Sequence, residues 1–77
     1  MNINGLEIKT GAFIRFMKHD VEYVGQVDYI EKDSILHGTW GDEVLNAYEE
    51  NFTLLRSHDG KLTPAGEAYV TRKAMNW

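Results

Sequence analysis

Residues 21–31, VEYVGQVDYIE, alternate between two sides and decide the fold class. A period of two is the pattern of a β-strand. One side of this strand carries Val21, Tyr23, Gly25, Val27 and Tyr29. A strand this long in a chain of 77 residues must curl, and its central Gly25 predicts a bend or a close backbone approach. The apolar phase changes between Val27 and Ile30, which predicts a bulge or a strand that passes from one sheet to the other.

Four shorter runs compatible with strands surround this one. They are AFIRFM at 12–17, SILHGTW at 34–40, VLNAY at 44–48 and TLL at 53–55. Reversals are predicted at 18–20, 32–33 and 40–43 from their polar and glycine residues. A single 3₁₀ turn is predicted at 49–52, before the last run. Alternation in the first run buries Ile14 and Phe16.

This succession of strands resembles the SH3-like barrels, in which strongly bent strands are joined by short turns and a 3₁₀ turn precedes the last strand. The resemblance rests on Gly11 with Ile14 and Phe16, and on residues 25–27, 36–40 and 49–55, and it covers residues 10–57. Small bacterial and phage-encoded proteins often have this character. The resemblance implies a mainly β fold, a small SH3-like five-stranded barrel with a C-terminal tail.

The chain is expected to form a single domain with two parts, a barrel at residues 1–57 and a C-terminal extension at 58–77 that packs on it or flanks it. Thr63 and Pro64 are suited to the cap and the first position of a helix. A helical stripe would carry Ala65, Ala68, Tyr69, Arg72 and Met75. Gly66 and the β-branched pair at 70–71 favour instead a strand at 67–71, so the tail is helical or extended.

Charge differs between the two parts. Residues 1–57 hold five Lys and Arg against ten Asp and Glu, whereas residues 58–77 hold three against two. An acidic barrel repels phosphate backbones, which makes nucleic acid an unfavourable partner. The sequence contains no cysteine, no secretory signal and no apolar run of membrane-spanning length, so a cytoplasmic protein without a membrane partner is expected.

Catalytic and metal sites are not predicted. Ser57-His58-Asp59 contains the residue types of a hydrolase triad, but consecutive side chains diverge and a triad must converge. His19, His37 and His58 lack the paired spacing of metal ligands. The expectation is a protein that is not an enzyme, with no catalytic residue, metal or cofactor.

The aromatic residues of the barrel provide the functional hypothesis. Exposed amphipathic rings beside carboxylates are typical of surfaces that bind basic or proline-containing peptides. The candidate binding residues are Tyr23, Tyr29, Trp40, Tyr48 and Asp28. For each ring the competing interpretation is a place in the core, because so small a domain needs much of its aromatic area there. The sequence therefore predicts a non-catalytic domain that binds another protein and has a regulatory role.

Two other functions stay open. The excess of acid permits a mimic of nucleic acid that blocks a DNA- or RNA-binding protein. Direct nucleic-acid binding would use the tail with Arg15, Lys18 and Arg56. Residues 60–68 resemble the wing-to-helix segment of LysR-type transcription regulators, but the strands before them leave no recognition helix. The identity of the partner and the oligomeric state are not predicted.

Overall fold

A computed structural model of the chain describes residues 1–75, and the side chains of residues 1–73. The strands are β1 (Asn2–Ile3), β2 (Leu6–Glu7), β3 (Phe13–Lys18), β4 (Val21–Glu31), β5 (Ile35–Gly38), β6 (Gly41–Asn46) and β7 (Thr53–Arg56), and they are followed by the helix α1 (Pro64–Met75). β1 and β2 pair with each other, and the other strands form one antiparallel sheet in the order β6-β5-β4-β3-β7. The predicted mainly β fold with five sheet strands is confirmed.

The sheet is open, because β6 and β7 lie at its two edges. The closed barrel of the prediction is therefore absent from the described residues. The sheet nevertheless bends sharply, since Lys18 at the end of β3 reaches across to the carbonyl oxygen of Val44 on β6 at 2.8 Å. This bend encloses the core.

The core lies on the concave face of the sheet. It comprises Ile8, Ala12, Ile14, Phe16, Val27, Leu36, Leu45, Ala47 and Leu54. Ile14 and Phe16 are almost fully buried, as predicted. Gly25 is buried opposite Ile14, and a Cβ on it would stand 2.8 Å from the backbone nitrogen of Trp40. The glycine at the centre of β4 thus permits a close backbone approach.

The predicted bulge in β4 is confirmed. The register to β5 shifts between Val27 and Tyr29, so that Ile30 pairs with the buried Leu36 and Tyr29 pairs with His37. Directly paired residues share a face of the sheet. The prediction that Tyr29 shares a side with Tyr23 is therefore wrong, because the extra residue at the bulge turns Tyr29 outward.

Three turns differ from the prediction or were missed. Asn4 and Gly5 have positive φ values of 51° and 82°, as type I′ turns require, and they join the unpredicted hairpin β1–β2. The reversal expected at 40–43 lies at Thr39 and Trp40, and β6 already begins at Gly41. In place of a 3₁₀ turn at 49–52, the carbonyl of Asn46 accepts the amides of residues 49 and 50, at 3.2 and 2.9 Å.

The tail is a helix, which settles the alternative left open by the sequence. The Thr63 hydroxyl accepts the Gly66 amide at 2.9 Å and donates to the Leu54 carbonyl at 2.6 Å, so it caps α1 and ties it to β7. Gly66 is the buried residue of the first turn, whereas Ala65 and Ala68 are exposed. The predicted contact of Met75 lies outside the described side chains. Among residues 1–75, no helix is long and apolar enough to cross a membrane.

Both edges of the sheet carry hydrogen bonds from the chain itself. On β6, the Asn46 amide donates to the Glu50 carboxylate at 2.8 Å, and Lys18 occupies the Val44 carbonyl. Beside β7, the Thr63 amide donates to the Leu55 carbonyl at 3.0 Å. Leu62 pairs with Arg56 in an isolated antiparallel bridge, which covers the next position of this edge. Strand addition at either edge would have to displace these bonds.

Candidate binding surface

Two of the predicted aromatic residues belong to one cluster around Phe16. The Tyr23 ring stacks on Phe16 with centroids 5.2 Å apart, and the Trp40 ring meets it edge-on at 5.3 Å. The Trp40 indole nitrogen donates to the Glu43 carbonyl at 2.7 Å. Both rings are half-buried against the core, so they serve packing and expose only part of their surface.

Tyr29 and Asp28 lie on a different surface. Tyr29 is 57% exposed and its ring lies 5.5 Å from that of His37, on the convex face of the sheet. Nε2 of His37 is 3.0 Å from a carboxylate oxygen of Glu31. Asp28 is exposed at the bulge. The structure therefore does not bring Tyr29 and Asp28 together with Tyr23 and Trp40.

Tyr48 lies in the connection between β6 and β7, which we call the β6–β7 loop (residues 47–52). Its side chain is 59% exposed. The Tyr48 amide donates to the side-chain oxygen of Asn46 at 3.1 Å, and the Glu50 carboxylate accepts the Asn46 amide at 2.8 Å. These bonds restrain the conformation of the loop, so the exposed tyrosine lies on an ordered turn.

Two grooves flank the β6–β7 loop and share its residues 49–52. The first, which we call the hairpin groove, has a volume of about 240 Å³ and lies between the loop and Ile3, Asn4 and Leu6 of the N-terminal hairpin. The second, of about 490 Å³, lies between the loop and residues 15–17 of β3. A segment bound in either groove would therefore contact the same loop.

The carboxylates near this loop differ in their partners. Lys18 lies 3.6 Å from the Glu43 carboxylate and 3.5 Å from that of Glu50, so one ammonium group serves both. Glu49 is exposed and lines both grooves. Within the described part of the chain, the Glu49 carboxylate makes no ion pair. The loop thus offers a free negative charge next to an exposed aromatic ring.

A second charged cluster joins α1 to the sheet. The Glu22 carboxylate on β4 accepts a hydrogen bond of 2.6 Å from the Arg15 guanidinium, and it lies 3.4 Å from the Tyr69 hydroxyl and 3.7 Å from the Lys73 ammonium. The hydrogen bond from Arg15 is the main cause that lowers the pKa of Glu22, and Lys73 lowers it further. These contacts link Tyr69 and Lys73 of the helix to Glu22 of β4, whereas the helix itself packs on β7.

The residues considered for catalysis do not converge. The Ser57 hydroxyl donates to the Asp59 carboxylate rather than to a histidine, and His58 is exposed. The same carboxylate accepts the Lys61 amide at 3.1 Å, and these two bonds lower the pKa of Asp59. The three residues form the turn before α1. Across residues 1–75, no three His, Asp or Glu side chains cluster as metal ligands do.

Sequence reasoning missed the part of this surface that comes from the N-terminus and from the loop acids. Neither Glu49 nor Leu6 is among the candidate residues predicted from the sequence, although the position of Glu49 directly after Tyr48 is a usable signal. The dipeptide Asn4-Gly5 is a strong hairpin signal, and it would have placed Leu6 in an ordered strand.

Comparisons with known proteins provide no relative of this chain. No family model matches the sequence, and neither a curated protein nor a solved structure is significantly similar to it.

Proposed function

We propose that the chain is a non-catalytic domain that binds another protein by holding a basic, extended segment of it against the β6–β7 loop. The observation that carries the proposal is the pair of grooves that share residues 49–52 of this loop. Concave surfaces where charged and aromatic groups converge are the usual sites of recognition. The same proposal includes an SH3-like fold and a regulatory role. It also includes a bacterial or phage origin and a cytoplasmic location.

The chemistry of the loop favours a positively charged segment. The Tyr48 ring is 59% exposed, and a Lys or Arg over such a face contributes about 0.5–1 kcal/mol at an exposed site. The Glu49 carboxylate next to it adds Coulomb attraction, and the net charge of -4 steers cations toward the domain. A proline in the segment would lower the entropy lost on binding, because it already favours an extended conformation.

The occupied edges of the sheet also bear on the binding mode. A partner that added a strand would need the backbone groups of β6 or β7, which already bind Lys18, Glu50 and Thr63. Binding through side chains in a groove leaves these bonds intact. The proposal is therefore recognition by side-chain contacts.

Peptide binding measured by fluorescence anisotropy tests the proposal. The probe is a fluorescein-labelled peptide of sequence GSGRRPGSGS, and the control probe replaces both arginines by glutamate. We expect Tyr48→Ala and Glu49→Gln to weaken binding of the arginine peptide about threefold to tenfold each, since each removes a contact of about 1 kcal/mol. Tyr29→Ala is the matched control, because Tyr29 is exposed to a similar extent and lines neither groove.

The peptide assay and one further assay distinguish the competing functions. Equal binding of both probes, or weakening by Tyr29→Ala but not by Tyr48→Ala, overturns the proposed surface. A mobility shift of a short DNA duplex at low salt would support direct nucleic-acid binding instead. A mimic of nucleic acid would need a folded DNA-binding protein with a broad basic site as its target. In that case the labelled arginine peptide would not bind to the chain.

A further inference from the structure

An apolar cleft adjoins the hairpin groove. This Phe52 cleft lies between the N-terminal hairpin, β7 and the start of α1, and it is lined by Leu6, Phe52, Thr53, Leu54, Thr63, Pro64 and Ala65. Leu6 and Phe52 also line the hairpin groove. The two concave surfaces are therefore neighbours that share two side chains, so a segment that crosses Leu6 and Phe52 would contact both.

The two surfaces differ in chemistry. The hairpin groove carries Glu49 and the exposed Tyr48. The Phe52 cleft contains no charged side chain, and mainly apolar atoms face it. Leu6 is 45% exposed there, although it lies in a strand of the hairpin. An apolar surface of this kind gains free energy when an apolar group covers it.

The cleft is an open depression that leaves room for a side chain of a bound segment. Its volume is about 270 Å³, similar to that of the hairpin groove. A single aliphatic side chain from an extended segment suits this volume, because the rest of the segment would lie in the adjoining groove. A segment that contacts both surfaces would therefore need a basic residue for the groove and an aliphatic residue for the cleft.

We propose that the bound segment has two parts, a basic residue held at Tyr48 and Glu49 and an aliphatic anchor residue held in the Phe52 cleft. This inference rests on the proposed function, and it adds the second determinant of specificity. The anchor residue explains why Leu6 is exposed, and it makes the N-terminal hairpin part of the binding surface. Segments that are only basic bind more weakly than segments with both residues at the correct spacing.

A set of labelled peptides tests the anchor separately from the basic residue. Each peptide contains the Arg-Arg pair of GSGRRPGSGS and one leucine placed two to six residues before or after the pair. We expect one spacing on one side to bind at least tenfold more tightly than the parent peptide, because burying a leucine side chain contributes about 1.5–3 kcal/mol, or roughly tenfold and more. Leucines at the other positions should leave the affinity unchanged.

The variant Leu6→Ser identifies the cleft. It should abolish the gain from leucine, taken as the ratio of the affinities of the leucine peptide and the parent peptide for the same variant, because Leu6 also lines the hairpin groove. Val70→Ser is the matched control, because Val70 is an aliphatic residue of similar exposure outside the lining of the cleft. Thermal unfolding of both variants checks that each is folded at the temperature of the assay.

The possible outcomes separate the two proposals. If the parent peptide binds and no leucine position tightens binding, the anchor is wrong and the proposed function stands. The anchor is equally wrong if Leu6→Ser retains the full gain. Failure of every arginine peptide to bind overturns the proposed function, and the anchor with it.

Discussion

Gly66 of α1 packs directly on the backbone of Leu55 in β7, so closely that a Cβ on Gly66 would overlap the Leu55 carbonyl oxygen. Glycine is a poor helix former, and on intrinsic propensity Gly66→Ala should stabilise the chain by about 1 kcal/mol. We expect the opposite, a loss of about 1–3 kcal/mol, because the helix must move away from the sheet. Chemical denaturation measures this change. Ala68→Gly, at an exposed position of the same helix, is the control for propensity alone, and a more stable Gly66→Ala variant would contradict the packing.

The Glu22 cluster should make the position of α1 depend on pH. The pKa of Glu22 is lowered in the folded chain, first by the hydrogen bond from Arg15. Its stabilisation is therefore complete above the ordinary pKa of 4.5 and is lost as the pH falls through the lowered value. We expect the protection factors of the amides of residues 69–73, which are corrected for the intrinsic exchange rate at each pH, to fall over that range. Glu22→Gln should remove this dependence, whereas Glu49→Gln should retain it, and identical profiles for the two variants would argue against the cluster.

The cap of α1 should contribute to the stability of the whole chain, because Thr63 also bonds to β7. We expect Thr63→Val, which keeps the shape but removes the hydroxyl, to cost about 1–2 kcal/mol. Thr63→Ser keeps the hydroxyl and should cost much less. Urea denaturation followed by circular dichroism provides both values. A larger loss for Ser than for Val would show that the methyl group, rather than the hydrogen bonds to Leu54 and Gly66, is responsible.

The turn between β3 and β4 should be open to stabilisation. His19 and Asp20 have φ values of 54° and 63°, which are unfavourable for residues with a side chain. We expect the double variant with His19→Asn and Asp20→Gly to gain about 1 kcal/mol, since Asn-Gly suits such turns. The reverse test is Gly5→Ala at φ 82°, where a Cβ would meet no other atom within 4 Å, so its expected loss reports the backbone alone. Melting temperatures of the two variants that shift in the same direction would refute this explanation.

The parts of the fold that depend on local pattern were predictable. The length of β4, its bulge and the burial of Ile14 and Phe16 follow from alternation. The start of α1 follows from Thr63 and Pro64. The buried position of Gly66 was not predictable, because its cause is the Leu55 carbonyl from another element.

The binding surface was less predictable than the fold. The face on which Tyr29 lies depends on the exact residue of the bulge, and an error of one position reverses it. Tyr48 is a candidate by its residue type, but the hairpin groove beside it exists only because Leu6 and Phe52 line the same depression. These residues are far apart in sequence, and no local pattern relates them.

The two covered edges of the sheet have a consequence for the behaviour of concentrated protein. Sheets grow into fibrils when an unpaired edge templates the next chain. Here Lys18 and Glu50 occupy backbone groups of β6, and residues 61–63 do the same beside β7. A chain so rich in β-structure thereby has fewer free backbone groups at the ends of its sheet to template a fibril, and a substitution of Lys18 would free the Val44 carbonyl on β6.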